Sequence, residues 1–318
     1  MSHRDLPVWA RAITAVLLLA GGWFSARSGL GEVLGNWVVD LSAGVIAVSV
    51  LLGMRLPLDL WPRAPNRDSF SLTLALSAAF LLGLLVLLGG PIAVVYLEEG
   101  QYGAIIALVL GGVAITLATG RTKLEAFGRW FGIAVGCAIL PAAAGIMVLA
   151  FQGTAFPSFD VVRFLHGVSF FVALGFGASL VTQELAFRRL LIGQSGDAGL
   201  VAVLLAALLF GVWHAANPTE TAGVLPALLS GTAGGLVAGS LYILSRSLLV
   251  PACYYGIRIG LLRGLELGFG EGADVATVGT VSGITTGVLA VTLAYFVVRR
   301  SGFFGALKLR PAVDVTGD

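Results

Sequence analysis

The feature that most constrains this chain is the length and number of its apolar runs. A helix needs about 20 apolar residues to cross the hydrocarbon core of a bilayer. Runs of that order recur near 8–24, 37–56, 71–96, 102–119, 130–151, 164–187, 199–216, 224–245, 247–262 and 281–299. In lipid every backbone N–H and C=O must find its partner within the protein, so such runs fold as helices. The pattern predicts an all-α, polytopic transmembrane helical bundle of about ten spans. Connections are short and marked by turn formers, among them Pro57 to Pro65, Gly193 to Gly199, and Asn217 with Pro218, so no soluble domain fits between spans. With 58% hydrophobic and 11% charged residues, the chain holds more apolar side chain than one soluble core could hide. The first run also has signal-peptide features, with Arg4 and Arg11 ahead of it and small residues behind. Counting it as a retained span gives the later segments a coherent topology.

Charge supports that topology by position. Short cytoplasmic loops collect Lys and Arg. Alternate loops assign to one side Arg4, Arg11, Arg55, Arg63, Arg67, Arg121, Lys123, Arg129, Arg188, Arg189, Arg246, Arg299, Arg300, Lys308 and Arg310, about four-fifths of the total. Arg27, Arg163, Arg258 and Arg263 fall on the other. Both termini are therefore expected in the cytoplasm, and the chain is expected to be a multi-pass protein of a bacterial-type inner (cytoplasmic) membrane. A net charge of +2 with three histidines leaves no basic surface fit for a run of phosphates, which excludes a nucleic-acid partner. Cys137 and Cys253 both lie in apolar runs, as packing residues rather than a disulfide framework or a structural zinc site. Glycine is abundant, with 44 residues. The set Gly231, Gly234, Gly235 and Gly239 has helical spacing and predicts closely packed helix backbones. A transport path is the competing reading, but no broken helices recur in two matching halves.

Polar side chains at membrane depth are functional candidates by default. Asp40, Gln183, Glu184, Arg188, His214 and Arg258 qualify. Asp40 stands alone near the start of its span, where one hydrogen bond would satisfy it. Gln183, Glu184, Phe187 and Arg188 are spaced so that several share a helical face, and Glu184 with Arg188 is an i,i+4 pair that would stabilise any helix end modestly. Phe210 and His214, also one turn apart, close the next span. A lone histidine there would ordinarily be a hydrogen-bonded structural group, and the conjunction of clusters is what points further.

Taken together, these motifs resemble the CPBP family of intramembrane proteases, which includes the Rce1-type CAAX prenyl endopeptidases and bacteriocin-processing or immunity proteins. The resemblance covers about 170–265. The family's E-E-x-x-x-R motif is met by Gln183-Glu184-Leu185-Ala186-Phe187-Arg188, and its F-x-x-x-H motif by Phe210 and His214. The third, P-x-x-x-H-x-x-x-N, falls on Pro251, Tyr255 and Ile259. The resemblance implies that the first glutamate activates water while the histidines and asparagine orient it and stabilise the oxyanion. Here those positions are Gln183, Tyr255 and Ile259, and a carboxamide has no basic form near neutral pH. The implied catalytic positions are thus Gln183, Glu184, Arg188, Phe210, His214 and Tyr255. Sliding the first motif by one residue would make Glu184 its leading acid, but it loses the matches at Leu185 and Phe187 and turns the carboxylate about 100° from the face that meets His214. A local helix distortion would be needed for Glu184 to substitute.

Neither a cofactor nor a metal is expected. A catalytic zinc takes three protein ligands, and Glu184 and His214 are the plausible ones left, since His166 lies at the far end of the helix that carries Glu184. The chain divides into N-terminal spans over 1–160, a CPBP-like core over 161–265, and a final span with cytoplasmic tail over 266–318. The leading expectation is a catalytically degenerate intramembrane protease acting as a membrane binding or assembly subunit, with another integral membrane protein or a membrane-embedded peptide, and lipids, as partners. The alternatives are an active, divergent CAAX-type endopeptidase with Glu184 activating water and Tyr255 serving the oxyanion, and a transporter.

Overall fold

The computed structural model describes residues 13–17, 20, 124–152, 159–181, 183–192, 199–216, 224–245, 247–269 and 275–301. The expected spans before residue 120, Asp40 and both termini therefore lie outside the described residues, 13–17 and 20 apart. Six long helices follow one another: α1 (Leu124–Phe151), α2 (Val161–Val181), α3 (Gly199–Ala216), α4 (Val224–Ser245), α5 (Leu249–Phe269) and α6 (Val275–Ser301). A π-helical turn, Glu184–Leu190, stands between α2 and α3. No strand occurs among the described residues.

Arg129–Phe151 of α1, Val224–Ser245 of α4 and Thr277–Arg299 of α6 are long and apolar enough to cross a membrane, and Leu200–Ala215 of α3 is a shorter apolar helix. Their outward faces are apolar too. On α6, Ile284, Val288, Val291 and Tyr295 recur at helical spacing and are each more than half exposed, while Ser282 and Thr286 on the opposite face are buried. A face that shows its large apolar side chains and hides its hydroxyls suits lipid. The described part is thus an all-helical membrane bundle.

Two expected boundaries are corrected. The segment expected as a span over 247–262 is a helix that runs from Leu249 to Phe269. Arg258, Arg263 and Glu266 lower its hydropathy, but Arg263 and Glu266 pair across one turn at 2.6 Å, and Arg258 is buried. The run expected over 164–187 is not one α-helix, because α2 ends at Val181 and the backbone resumes as the π turn. Arg188 and Arg258, both read as polar side chains at membrane depth, sit inside the bundle at 1% and 9% exposure.

Small residues set the packing. Helices α2 and α5 are antiparallel and make the most extensive contact of the bundle. A Cβ at Gly256 would come within 2.7 Å of the Phe176 amide nitrogen, and one at Gly264 within 3.0 Å of the Phe164 carbonyl, so backbone meets backbone along this seam. Helices α3 and α4 pair in the same way. A Cβ at Gly231 would stand 3.0 Å from Gly211 Cα, one at Gly235 3.0 Å from Ala207 Cα, and one at Gly239 2.9 Å from the Val203 side chain. Gly234, out of register with those three, faces Arg258 of α5 instead. A core of Ala134, Cys137, Val237, Leu241, Val250, Tyr254, Ala290 and Leu293 then joins α1, α4, α5 and α6.

Candidate functional site

The first motif is shaped by the break after α2. The Leu191 N–H donates to the Ala186 carbonyl at 3.2 Å, five residues back, which is the π pattern and a local distortion of the kind found at functional sites. In a regular helix residues 179 and 184 would project about 140° apart. Here the Ser179 hydroxyl donates to Glu184 Oε1 at 3.1 Å. The other carboxylate oxygen faces Arg188 Nε at 3.4 Å, with both side chains sealed from solvent.

Aromatic rings from α3 fix the guanidinium. Arg188 Cζ lies 4.6 Å from the centroid of Phe210, a cation–π geometry worth more when desolvated. Phe187 meets Phe210 edge-on at 5.1 Å and Trp213 at 6.1 Å. Phe210 in turn meets His214 at 4.5 Å, as the one-turn spacing of the second motif requires.

From α5, the third motif delivers Tyr255 to the same place. Its ring is 6.2 Å from Phe210 and 6.2 Å from His214. The Gln183 side-chain amide donates to the Tyr255 hydroxyl at 3.4 Å, a long hydrogen bond. The two positions that depart from the family pattern, Gln183 and Tyr255, thus touch each other. Ile259 does not join them. Its Cβ is 3.5 Å from where a Gly175 Cβ would stand, packed against α2.

All six sequence-derived positions, Gln183, Glu184, Arg188, Phe210, His214 and Tyr255, are therefore linked through direct contacts into one cluster. His166 is far along α2, 13 residues before Ser179 or about 20 Å by helical rise. Among the described residues no three His, Cys, Asp or Glu side chains stand close enough to hold a metal. Three neighbours escaped the sequence reading of the site. Ser179 carried no signal because only the π turn brings it to Glu184. Tyr254 falls at no defined position of the third motif, and Arg258, though noted as a polar residue at depth, belongs to no motif.

Chemically, the cluster offers an imidazole, a phenol, a carboxamide and a guanidinium in a water-poor setting. Of its carboxylate oxygens, one accepts from Ser179 and the other faces Arg188 at 3.4 Å without a hydrogen bond. No curated protein matches the chain. Residues 164–257 match the family model described as type II CAAX prenyl endopeptidase Rce1-like, a stretch that includes the whole cluster and stops two residues short of Ile259. The chain therefore carries an Rce1-like domain, the CPBP-type core to which its three motifs point.

Proposed function

We propose that this chain is a CPBP-type membrane protein whose proteolytic centre no longer cuts, and whose polar pocket binds or holds a membrane-embedded partner. The observation that carries this reading is the contact between Gln183 and Tyr255 at 3.4 Å. The residue that should deprotonate water is an amide, and its amide nitrogen is directed at the residue that replaced a histidine. Glu184 supplies no ready substitute, because it is fully buried, accepts from Ser179 and is ion-paired with Arg188. A base held in that way is oriented for structure rather than for taking a proton from water.

Purified protein in detergent or lipid is expected to leave membrane peptides intact. Specific cleavage that disappears with His214→Ala would overturn the reading. The converse experiment installs Gln183→Glu, Tyr255→His and Ile259→Asn together, and gain of cleavage over the parent would identify a disabled active centre. A quantitative pull-down from membranes is expected to return a second membrane protein, and recovery of monomer alone counts against the assembly role.

One observation favours the active alternative. The π turn begins at Glu184, the kind of distortion that could bring this carboxylate into the base's position. In that mechanism Tyr255 donates to the oxyanion. Loss of activity in Glu184→Gln with retained fold would be its signature.

A further inference from the structure

Away from the polar cluster, two outer helices finish on positive charge at the same end of the bundle. Helices α1 and α6 run antiparallel. A Cβ at Gly145 of α1 would stand 2.9 Å from Val278, near the start of α6, whereas Trp130, near the start of α1, packs on the core that holds Leu293 and Val297. The start of α1 and the end of α6 therefore lie together. Leu149, Val278 and Leu265 gather with Phe159 and Phe164 at the opposite end.

The arginines of the two ends are answered differently. At the opposite end Arg163 pairs with Asp160 and Arg263 with Glu266. Arg129 and Arg299 are exposed and pair with no acid among the described residues. The Arg129 guanidinium stands 5.9 Å over the Trp130 ring. Over 121–129 and 299–300 the sequence sets Arg121, Lys123, Arg129, Arg299 and Arg300 against Glu125 alone.

Each of the two exposed arginines also heads a stripe at helical spacing. Arg299 continues the exposed apolar row of α6 through Val291 and Tyr295. On α1, Arg129 is followed by Gly132, Gly136 and Leu140, and nothing lies within 4 Å of a Cβ added at either glycine. Phe131 and Ile139 beside them are exposed, so the bare backbone forms a shallow trough between apolar side chains. The bias of basic residues toward one side of a membrane accounts for the charge at this end. It does not account for two glycines, poor helix formers, on a face that no other part of the protein touches. A cation at the head of an apolar trough complements a molecule with an anionic head and an acyl tail. We propose that the start of α1 and the end of α6 form a site for an anionic phospholipid, its phosphate held by Arg129 and Arg299 and an acyl chain laid over Gly132 and Gly136. The site is independent of whether the polar cluster cuts or only binds.

The test uses the full chain in detergent and two probes with identical acyl chains, phosphatidylglycerol and phosphatidylcholine, whose retention is counted by native mass spectrometry. The anionic lipid should be retained at least about fivefold better. Arg129→Met combined with Arg299→Met should remove most of that preference, whereas Arg163→Met combined with Arg263→Met should leave it intact. Gly136→Leu, which no neighbour obstructs, should weaken retention of phosphatidylglycerol at unchanged charge. Phosphatidylglycerol carrying a diazirine in its acyl chain should label the unaltered protein over 132–140. Equal retention of the two lipids, or labelling confined to other helices, would overturn the inference. So would a preference that persists in the folded Arg129, Arg299 variant, an equal loss in the Arg163, Arg263 variant, or normal retention by Gly136→Leu. Should the first variant not fold, the labelling of the unaltered protein decides.

Discussion

Glu184 and Arg188 form an ion pair whose two side chains are almost wholly hidden, so each is the other's main reason for remaining charged. Removing one partner leaves a buried charge unanswered, a change that costs about 3–5 kcal/mol. Glu184→Gln and Arg188→Met are each expected to lower thermal stability in detergent strongly. The double variant should lose less than the sum, which a double-mutant cycle measures. The Gln183 to Tyr255 hydrogen bond is neutral and long. Tyr255→Phe should therefore cost only about 0.5–1.5 kcal/mol, read by the same unfolding measurement. These residues differ in how far the sequence revealed them. Phe210 and His214, one turn apart, could be placed together from spacing alone. The meeting of Gln183 with Tyr255, 72 positions apart, became legible only through the family motifs. Ser179 was hidden because helical periodicity puts it on another face from Glu184, and only the π turn cancels that separation.

Helices tell a similar story one level up. The spans over 199–216 and 224–245 coincide with α3 and α4, because continuous apolar runs bounded by turn residues leave little room for error. Helix α5 was cut short because its charges obscure a helix held by close packing on α2 rather than by hydropathy. That packing can be tested glycine by glycine. Gly256→Ala places a Cβ 2.7 Å from the backbone nitrogen of Phe176, which cannot swing aside as a side chain could. Overpacking of this kind costs about 1–3 kcal/mol. At Gly283 of α6 nothing lies within 4 Å of the added atom, so Gly283→Ala should be neutral or stabilise by about 0.5–1 kcal/mol through better helix propensity. Denaturant titration of the two variants side by side distinguishes the sites, and equal effects would contradict the backbone contact.

For the molecule as a whole, the exposed apolar stripe of α6 is the surface on which the membrane setting can be checked. Val288 is 63% exposed and Thr286 is buried. A cysteine introduced by Val288→Cys should react with a lipid-soluble maleimide and resist a water-soluble one, whereas Thr286→Cys should resist both. Val288→Arg at the middle of the span should impair insertion by about 2.5–3.5 kcal/mol. That α1, α4 and α6 are long and apolar enough to cross a bilayer was readable from the apolar runs. How they pair was not, since it depends on which glycines face which neighbour. That pairing has a mechanical consequence. Helices α2 and α5 interlock along one seam and α3 and α4 along another, whereas α4 and α5 touch less extensively and are joined by the short link at 246–248. Gln183, Tyr255 and Arg258 travel with the first couple, and Phe210, His214 and Gly234 with the second. Among the described helices, then, sliding one couple against the other would break the contacts of the cluster, and α1, which packs on both α4 and α5, braces them.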